Sequence, residues 1–388
     1  MTREEIQRLL EQALPLSEHA LEYSCMLQFF DLGWECVDAE HESEHESILG
    51  RQDLGEVVLD KYLEPRLQSL NPKAPQAALD QAVQFLREDR SVMQTVNANR
   101  EIYSSLKEGV KVTYLDDHGE QQTDRIKIID WKKPSNNHFL IVSQMKIRGN
   151  LGNRIPDLLG FVNGIPLLFV ELKAAFVNIK HAYDDNLRDY KDTIPHLLAY
   201  NGFCMLSNGI EAKIGSITAG WEHFAEWKKI SSEEEAGAID VDTLIKGTCQ
   251  HPRFLDIVEN FIVFLEMQGG LVKIVSKNHQ YLGVNNSMSA VHQLQENQGR
   301  LGVFWHTQGS GKSISMVFFC QKVLRKVPGN WTFVIITDRK ELDEQIVFDK
   351  KNNSSIRDIV KVKIKSARGV TMLGEIVNPL ERKKNEAA

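Results

Sequence analysis

Two stretches of the chain carry residue types at spacings that do chemistry. The first is His306-Thr307-Gln308-Gly309-Ser310-Gly311-Lys312-Ser313, where an apolar run exits into a glycine-rich turn and the amphipathic run Ile314 to Lys322 follows. Glycines let backbone N–H groups close on phosphate oxygens, Lys312 supplies charge at the terminal phosphates, and Ser313 reaches a magnesium ion at the helix N-terminus. The strict G-x-x-x-x-G-K-[ST] spacing is not met, because His306 stands where the first glycine belongs. The G-x-G-K-S core, with a strand expected before it and a helix after it, still reads as a phosphate cradle rather than an unliganded turn, and points to a nucleotide-dependent motor.

The second stretch is Ile155-Pro156-Asp157-Leu158-Leu159-Gly160-Phe161-Val162, joined around Asn163-Gly164 to Ile165-Pro166-Leu167-Leu168-Phe169-Val170-Glu171-Leu172-Lys173. Asn-Gly between apolar runs is a strong hairpin signal. Strands apolar almost throughout belong in the middle of a sheet, buried on both faces. Asp157, Glu171 and Lys173 remain charged in that setting, and each is expensive to bury unless it is paired or coordinates a metal. Glu171 and Lys173 are two apart and share a face. A clean two-residue turn sets Asp157 opposite Val170, on the other face. An odd-length loop or one bulge restores a common face, so that irregularity is expected and its absence counts against a shared site. Asp157 and Glu171 would then form an all-oxygen site suited to Mg2+, with positions left for water and a phosphate oxygen. Lys173 would orient a water nucleophile or steady a pentavalent phosphate. Alone, D…E-x-K is a weak signal, because charges at strand ends are ordinarily solvated.

The elements that must position these residues follow from patterning. At 388 residues, 42% hydrophobic and 26% charged, the chain has room for two or three domains of ordinary globular composition. A formal net charge of −7 does not favour nucleic acid as a partner, although a large enzyme needs only a local basic groove. No apolar window reaches membrane-spanning length and the N-terminus lacks a signal core, so the chain reads as cytoplasmic, with no membrane partner. Cys25, Cys36, Cys204, Cys249 and Cys320 form no C-x-x-C pair and read as reduced, buried thiols.

Helical spacing over residues 2 to 30 ends at Gly33 and leads into a strand at Trp34 to Val37. A helical region spans about Gly55 to Arg90. Val110 to Leu115 and Arg125 to Trp131 read as a hairpin, and Phe139 to Met145 as a further strand. After Lys173 a helix is expected from Phe176 to Tyr190, with Asn186 and Tyr190 one turn apart on one face. Strands at Phe203 to Leu206 and Glu211 to Ile214 close a mixed α/β domain near residue 216. Residues 217–258, with the acidic run Glu233-Glu234-Glu235, read as a linker. A helix from Pro252 then leads to His279-Gln280-Tyr281. Past the glycine loop, Thr332 to Thr337 reads as a second buried strand, so that a βαβ order implies a parallel sheet. The polar, basic stretch 350–388 is expected to hold little structure.

Taken together, these residues resemble the restriction (R) subunit of Type I restriction-modification enzymes, over nearly the whole chain to about residue 348. The resemblance rests on Ser17-Glu18-His19-Ala20-Leu21-Glu22 ending in Leu32-Gly33-Trp34, and on Asn99-Arg100 with Gly109-Val110. It continues through Ile155-Pro156-Asp157, Glu171-Leu172-Lys173, Asn186 to Asp192, Leu206-Ser207-Asn208-Gly209, His279-Gln280-Tyr281 and His306 to Ser313. It implies an α/β fold: a PD-(D/E)-x-K endonuclease domain with a mixed sheet over 1–216, a helical and polar linker over 217–258, and an incomplete RecA-like parallel-sheet lobe of a superfamily 2 motor over 259–388. It assigns Asp157, Glu171 and Lys173 to DNA cleavage, with Asp157 and Glu171 on the metal. Glu22 becomes a further acidic residue, with Glu18 as its competitor. Asn186 stands where the family has Gln in Gln-x-x-x-Tyr, while Tyr190 is kept. Gln280 and Tyr281 match the adenine-recognition segment; Gly309, Ser310, Gly311, Lys312 and Ser313 match helicase motif I, with Ser313 also on a metal; Asp338 and Arg339 sit at motif Ia. Mg2+ and ATP are the implied cofactors. Double-stranded DNA and the modification (methyltransferase) and specificity subunits are the implied partners.

One departure matters. No apolar strand ending in Asp-Glu-x-His or a relative follows Ser313, and Asp343-Glu344 opens a charged helix. Without that acid pair the hydrolytic water lacks its orienting base. The chain thus reads as a truncated form, a nuclease with the opening of a motor that binds nucleotide weakly and neither hydrolyses it nor translocates. Two other readings compete with an ATP-coupled restriction subunit: a stand-alone nuclease that needs no ATP, and a non-catalytic assembly module whose hairpin charges are structural ion pairs. Phosphate release by the chain alone, followed at saturating ATP, is expected to stay at the uncatalysed background; steady turnover would overturn this reading of the motor segment.

Overall fold

A computed structural model describes residues 1–43, 47–115 and 118–335, and the backbone of 360–368 and 371–379. The chain divides into two compact units. The first comprises Met1–Glu259 with Lys273–Asn278, and the second Asn260–Val272 with the residues from His279 onward.

In the first unit the order is α1 (Arg3–Gln12), α2 (Glu18–Asp31), β1 (Glu35–Asp38), α3 (Asp60–Leu70), α4 (Gln76–Arg87), α5 (Thr95–Glu108), β2 (Val110–Leu115), β3 (Gln121–Ile126), β4 (Phe139–Ser143), β5 (Ile147–Gly149), β6 (Gly152–Arg154), β7 (Leu158–Val162) and β8 (Ile165–Leu172). A π-helical turn Ala182–Leu187 follows, then α6 (Arg188–Thr193), α7 (Pro195–Leu198), β9 (Phe203–Ser207), β10 (Ala212–Gly215), β11 (Ala225–Glu226), α8 (Val241–Thr248) and α9 (His251–Asn260). A seven-stranded sheet runs β1-β4-β7-β8-β9-β10-β11. It is mixed: β1 lies parallel to β4 and β8 to β9, while β4, β7 and β8 are antiparallel neighbours. Every residue of β7 and β8 is buried, as their continuous apolar runs require of central strands.

The hairpin between β7 and β8 sets the register of everything nearby. Asn163 and Gly164 turn at φ 51° and 80°, the left-handed pair that matches strand twist. The turn is buried because Asn163 is a hub: its Oδ1 accepts from the His138 N–H at 2.7 Å and its amide donates to Ile128 O at 2.8 Å. The loop has two residues, and the expected bulge is present, between Gly160↔Leu168 and Phe161↔Pro166. Pro166, with no N–H for the ladder, stands beside it. The shifted register pairs Leu158 with Val170, and so brings Asp157 level with Glu171.

Helix α2 is capped by Ser17, whose side chain accepts from Ala20 N–H, and ends at Gly33, φ 90°, with Trp34 N–H bonded back to Phe29 O. Its buried stripe of Glu22, Cys25, Met26 and Phe29 follows helical spacing and carries one carboxylate into the core. Trp34 packs edge-on against Phe29, Phe139 and Phe254 and donates to Cys249 O at 2.9 Å. That contact shows how residues 217–258, expected as a linker, belong to the first unit: Trp227, Cys249 and Phe254 are fully buried. The returning segment Lys273–Asn278 is bound there too. Ser216 Oγ donates to Lys273 O at 2.6 Å, buried Lys273 Nζ donates to Asn201 O, and the Asn278 side chain bonds both N–H and C=O of Lys229. All five cysteines are buried and free.

Several elements differ from the sequence expectation. The strand expected over Arg125 to Trp131 pairs earlier, as β3, because the Asn71 side chain takes both backbone groups of Lys127 and draws the chain off the ladder. The helix expected from Phe176 begins only near residue 180, where Asn178 Oδ1 caps Lys180 N–H at 2.9 Å, and its next turn is a π-helix.

The second unit contains β12 (Ile262–Met267), the opening of β13 (Gly270–Val275), whose residues from Lys273 belong to the first unit, the helices α10 (Asn278–His292, from His279 onward) and α11 (Lys312–Lys326), and an antiparallel pair, β14 (Val360–Arg368) with β15 (Thr371–Pro379). Met288, Val291 and Val323 form a small core under Phe319, Trp331 and Phe333. The strand expected before the glycine loop is absent from residues 301–306, and residues 332–335 of the one expected after it are also irregular. Val303 and Trp305 are 92% and 80% exposed, so among the described residues nothing covers the two apolar faces that a central parallel strand needs. The remainder of that second strand, Thr337 included, and the positions Asp338, Arg339, Asp343 and Glu344 lie outside the described residues. In the tail 350–388, expected to hold little structure, β14 and β15 form; the strict alternation Val360-Lys361-Val362-Lys363-Ile364-Lys365 is a strand pattern that polarity had masked. No described helix is long and apolar enough to cross a membrane.

Gly164→Ala tests the hairpin. A Cβ there meets Leu59 O at 2.4 Å on a left-handed backbone. Urea unfolding is expected to show a loss on the order of 2 kcal/mol or more.

Candidate functional site

The bulged hairpin, the end of β4 and one turn of α2 bring a set of charged and polar side chains together in the first unit. Gln144 N–H donates to Asp157 O at 3.1 Å, which carries the β4–β7 ladder one residue beyond Ser143↔Leu158. Gln144, Asp157 and Glu171 are therefore successive neighbours across three adjacent strands, and directly opposed residues share a face. Asp157 stands just before β7, where its Oδ2 accepts the Leu172 N–H at 2.6 Å. Glu171 is 1% exposed; its Oε1 lies 3.5 Å from Lys173 Nζ, and its Oε2 has no partner among the described residues. Lys173 is shared, with Glu18 Oε1 at 3.8 Å. From α2, Glu22 Oε2 accepts from Gln144 Nε2 at 2.8 Å and lies 3.6 Å from His19 Nδ1, while Oε1 has no partner among the described residues.

Burial dominates the electrostatics. It raises Glu22 to about 8 and Asp157 to about 6, the Asp157 charge adding to the first and the Leu172 N–H opposing the second. Burial, and behind it the Asp157 charge, hold Glu171 well above the ordinary carboxylate range, with Lys173 pulling the other way. Carboxyls that gain so much from holding a proton gain likewise from a cation. Among the described residues no group of three or more His, Cys, Asp or Glu is disposed to hold a metal ion. Mg2+ asks less of a protein, one or two carboxylates with water and phosphate oxygens completing the shell. Asp157 and Glu171, with buried oxygens left unfilled at Glu171 and Glu22, fit that donor set.

Tyr190 and Asn186 reach the same region by a different route. The Tyr190 hydroxyl donates to Ile155 O at 3.3 Å, two residues before Asp157, and its ring packs edge-on against Phe169. Burial, and after it the charge of Glu171, keep the hydroxyl protonated; the hydrogen bond with Asn186 opposes them. Asn186 lies on the π-helical turn, and that bond links it to Tyr190.

The glycine loop lies in the second unit. Gly309 and Gly311 have φ 79° and 85°, and Gly311 is the left-handed residue at which α11 begins. Lys312 Nζ donates to His306 O and Thr307 O at 2.8 and 3.0 Å, so the ammonium rests on carbonyls of its own loop. Gln280 Nε2 donates to Gly311 O at 3.0 Å, and the His279 ring nitrogen lies 3.0 Å from Ser310 O. The structure thus joins Gln280 to Gly311, and its neighbour His279 to Ser310. Tyr281, by contrast, is buried in the core, 4.7 Å from the Phe261 ring.

Sequence reasoning missed Gln144 and His19. Gln144 was hidden inside the strand expected over Phe139 to Met145; the polar pair Ser143-Gln144 interrupting that apolar run was the available signal. His19 sits on α2 one turn from Glu22, a spacing visible once that helix is placed.

Comparison with known proteins places this geometry among relatives. Residues 15–223 match the family described as Type I restriction enzyme R protein N terminus, and residues 279–379 match the SWI2/SNF2 ATPase family. The Type I restriction enzyme HindI endonuclease subunit of Haemophilus influenzae is 34% identical over 358 residues, 89% of this chain and 33% of the relative. A protein of Methanocaldococcus jannaschii named for the MjaIXP endonuclease subunit of a type I restriction enzyme is 31% identical over 273 residues, 63% of this chain and 26% of that relative. The chain thus spans between about a quarter and a third of the length of these relatives.

Stability should record the buried carboxyls. Glu22 and Asp157 release their protons near 4.5 and 3.8 when unfolded and near 8 and 6 when folded. The folded chain therefore holds the extra protons, and the stability these two carboxyls contribute is full below about pH 4 and is lost as pH rises, through about 6 for Asp157 and about 8 for Glu22. The decline amounts to about 1.4 kcal/mol for each pH unit over which only the folded chain keeps a given proton. Denaturant midpoints measured from pH 5 to 8 should fall in the wild type, and Glu22→Gln should flatten the portion above pH 6.

Proposed function

Because the chain belongs to the Type I restriction enzyme R protein family, we propose that its first unit is the Mg2+-dependent DNA endonuclease of a restriction complex and its second unit the start of an ATP-driven translocase. One observation carries the nuclease reading: a bulge places Asp157 level with Glu171, and a buried Glu171 oxygen is left unfilled beside Lys173. Charge in a wholly buried strand end is too costly to keep without a use. The same contact, Lys173 with one Glu171 oxygen, is also what an assembly module held by structural ion pairs would show, and metal binding distinguishes the two.

In this reading, the PD-(D/E)-x-K set is Asp157, Glu171 and Lys173, on a mixed sheet of that fold. Asp157 and Glu171 hold Mg2+, which supplies Lewis acidity at a phosphate oxygen when bound. Lys173 sets its ammonium where charge grows on the phosphorane, and its second contact, with Glu18, limits how far it swings. Tyr190 and Asn186 steady the Ile155 to Asp157 segment, so that the carboxylate arrives at a defined place. Glu22 lends a further oxygen. In the second unit, Gly309 to Ser313 cradle the phosphates of ATP, Gln280 and Tyr281 belong to the adenine end, and Ser313 meets the Mg2+ that accompanies the nucleotide. Lys312 must leave the carbonyls of His306 and Thr307 to reach a phosphate, which lowers nucleotide affinity relative to a preformed cradle. Double-stranded DNA is the substrate. In the complete cytoplasmic assembly the sequence is read by the specificity subunit, alongside the methyltransferase, and ATP-driven translocation precedes cleavage.

Calorimetry of Mn2+ binding in the presence of a short DNA duplex tests the centre. Asp157→Ala and Glu171→Ala are each expected to weaken binding at least tenfold with the circular dichroism of the fold unchanged, and to abolish cleavage in a reconstituted complex. Wild-type affinity in both variants would remove the metal centre and favour the assembly reading.

A further inference from the structure

Three large apolar side chains are exposed at one end of the sheet, beside Lys173: Phe176 at 82%, Leu16 at 68% and Ile210 at 62%. β8 and β9 are parallel neighbours paired through Leu172↔Ser207, so the segments that carry Phe176 and Ile210 leave the sheet at the same end. Hydrogen bonds join these segments. The Asn208 amide donates to Val177 O at 2.9 Å while its Oδ1 accepts from Ile210 N–H at 3.2 Å, which ties the Phe176 turn to Ile210. Ala174 N–H donates to Glu18 Oε1 at 3.4 Å and brings in the start of α2, where Leu16 precedes the Ser17 cap. Gly209 faces the same helix: a Cβ there would lie 3.2 Å from Leu21 Cδ1. Apolar residues scattered singly over a surface need no explanation, whereas a group gathered on one rim does.

Neither Phe176 nor Leu16 is exposed through slackness. Phe176 lies in a turn closed by Val177 N–H to Ala174 O at 2.8 Å and held from beyond by the side chains of Asn208 and Asn178. Leu16 takes φ 66°, a left-handed backbone that among side-chain-bearing described residues recurs only at Gln144, Asn163 and Gln298. Leucine rarely adopts it, and it persists only where the surroundings over-determine it. Distance to the centre then says what meets the rim. Phe176 stands three residues beyond Lys173, a span of at most about 11 Å. Phosphates follow one another every ~3.4 Å of rise along a DNA strand. A duplex with one phosphate at Lys173 therefore has its next few base steps beside Phe176. Such a polyanion offers apolar surface in its base stack, reached through the minor groove, where Phe, Leu and Ile are side chains that wedge between steps.

We propose that Leu16, Phe176 and Ile210 form an apolar wedge that enters the minor groove of duplex DNA, parts a base step and so seats the neighbouring phosphate at Lys173. This rests on the metal-dependent nuclease reading. The contact tolerates any sequence, because every base has a face to stack on, and that suits a centre that leaves base reading to another subunit.

The test is binding of the full chain to a short dye-labelled duplex carrying 2-aminopurine at several steps, in Ca2+, an oxygen-liganded cation like Mg2+. Polarisation of the dye gives affinity; 2-aminopurine emission, quenched in the stack, gives unstacking. Wild type is expected to raise the emission. Phe176→Ser is expected to abolish that rise and weaken binding about tenfold, as loss of one stacked contact does. It removes no phosphate contact, so the slope of affinity against salt stays at the wild-type value. Phe176→Trp should retain both affinity and emission. Leu16→Gly, which relieves the left-handed backbone, should lose part of each with the circular dichroism unchanged. Emission that stays at the level of free duplex, or wild-type binding by Phe176→Ser, would overturn the proposal; such a variant that instead failed to join the other restriction subunits would give the rim to a protein. Asp157→Ala with Mn2+ and the duplex is the separate control: wild-type metal affinity there would overturn the nuclease centre itself, whatever the emission does.

Discussion

Removing a carboxylate from water at the end of a fully buried strand is the costliest thing the first unit does, and its other features answer to that cost. Glu171 sits at the end of an eight-residue strand with no exposed position. Its charge is offset on one side by Lys173 and on the other by nothing among the described residues, while Asp157 and Glu22 add charge of the same sign. An arrangement of three acids gathered in low dielectric is unstable electrostatically unless protons or a cation take up the excess. The bulge at Gly160 and Phe161, the buried Asn163 hub and the Trp34 cluster make the surrounding scaffold stiff enough to hold it. Relaxing any of them would let the acids separate and hydrate.

Much of this was legible in the residues alone, and the reasons differ from part to part. Continuous apolar runs identified β7 and β8 as central because two-sided burial leaves no polar position. Asn-Gly located their turn, and the parity mismatch between Asp157 and Glu171 called for an odd-length loop or a bulge, of which the bulge is found. Where the bulge falls, beside Pro166, was not read from the sequence. Less legible were features decided by distant side chains. Asn71 diverts the chain after Ile126, and Asn178 postpones the helix expected at Phe176. Residues 217–258 looked like a linker because their polarity averages out, while Trp227 and Phe254, the residues that anchor them, are few. Gln144 escaped because strand periodicity has no vocabulary for a kink.

The glycine loop of the second unit shows a different economy. Its ammonium, two of its carbonyls and the side chain of Gln280 satisfy one another. The polar groups of this loop are thereby paired with one another rather than left open. The exposed Val303 and Trp305 on its approach belong to the same picture of a segment whose apolar surface has no cover among the described residues. The backbone conformation of such a loop depends on Gly309 and Gly311, whose φ of 79° and 85° side-chain-bearing residues rarely adopt.

The first unit is also not one uninterrupted length of chain. Its last piece, Lys273–Asn278, is reached only after thirteen residues, Asn260–Val272, that belong to the second unit. A polypeptide emerging from the ribosome at roughly 5–20 residues per second presents its parts in order. The bonds that Ser216, Thr218, Lys229 and Asn201 make with the returning segment can therefore form only after that segment has been made. Completion of the earlier unit's contacts is thereby tied to synthesis of the opening of the later one.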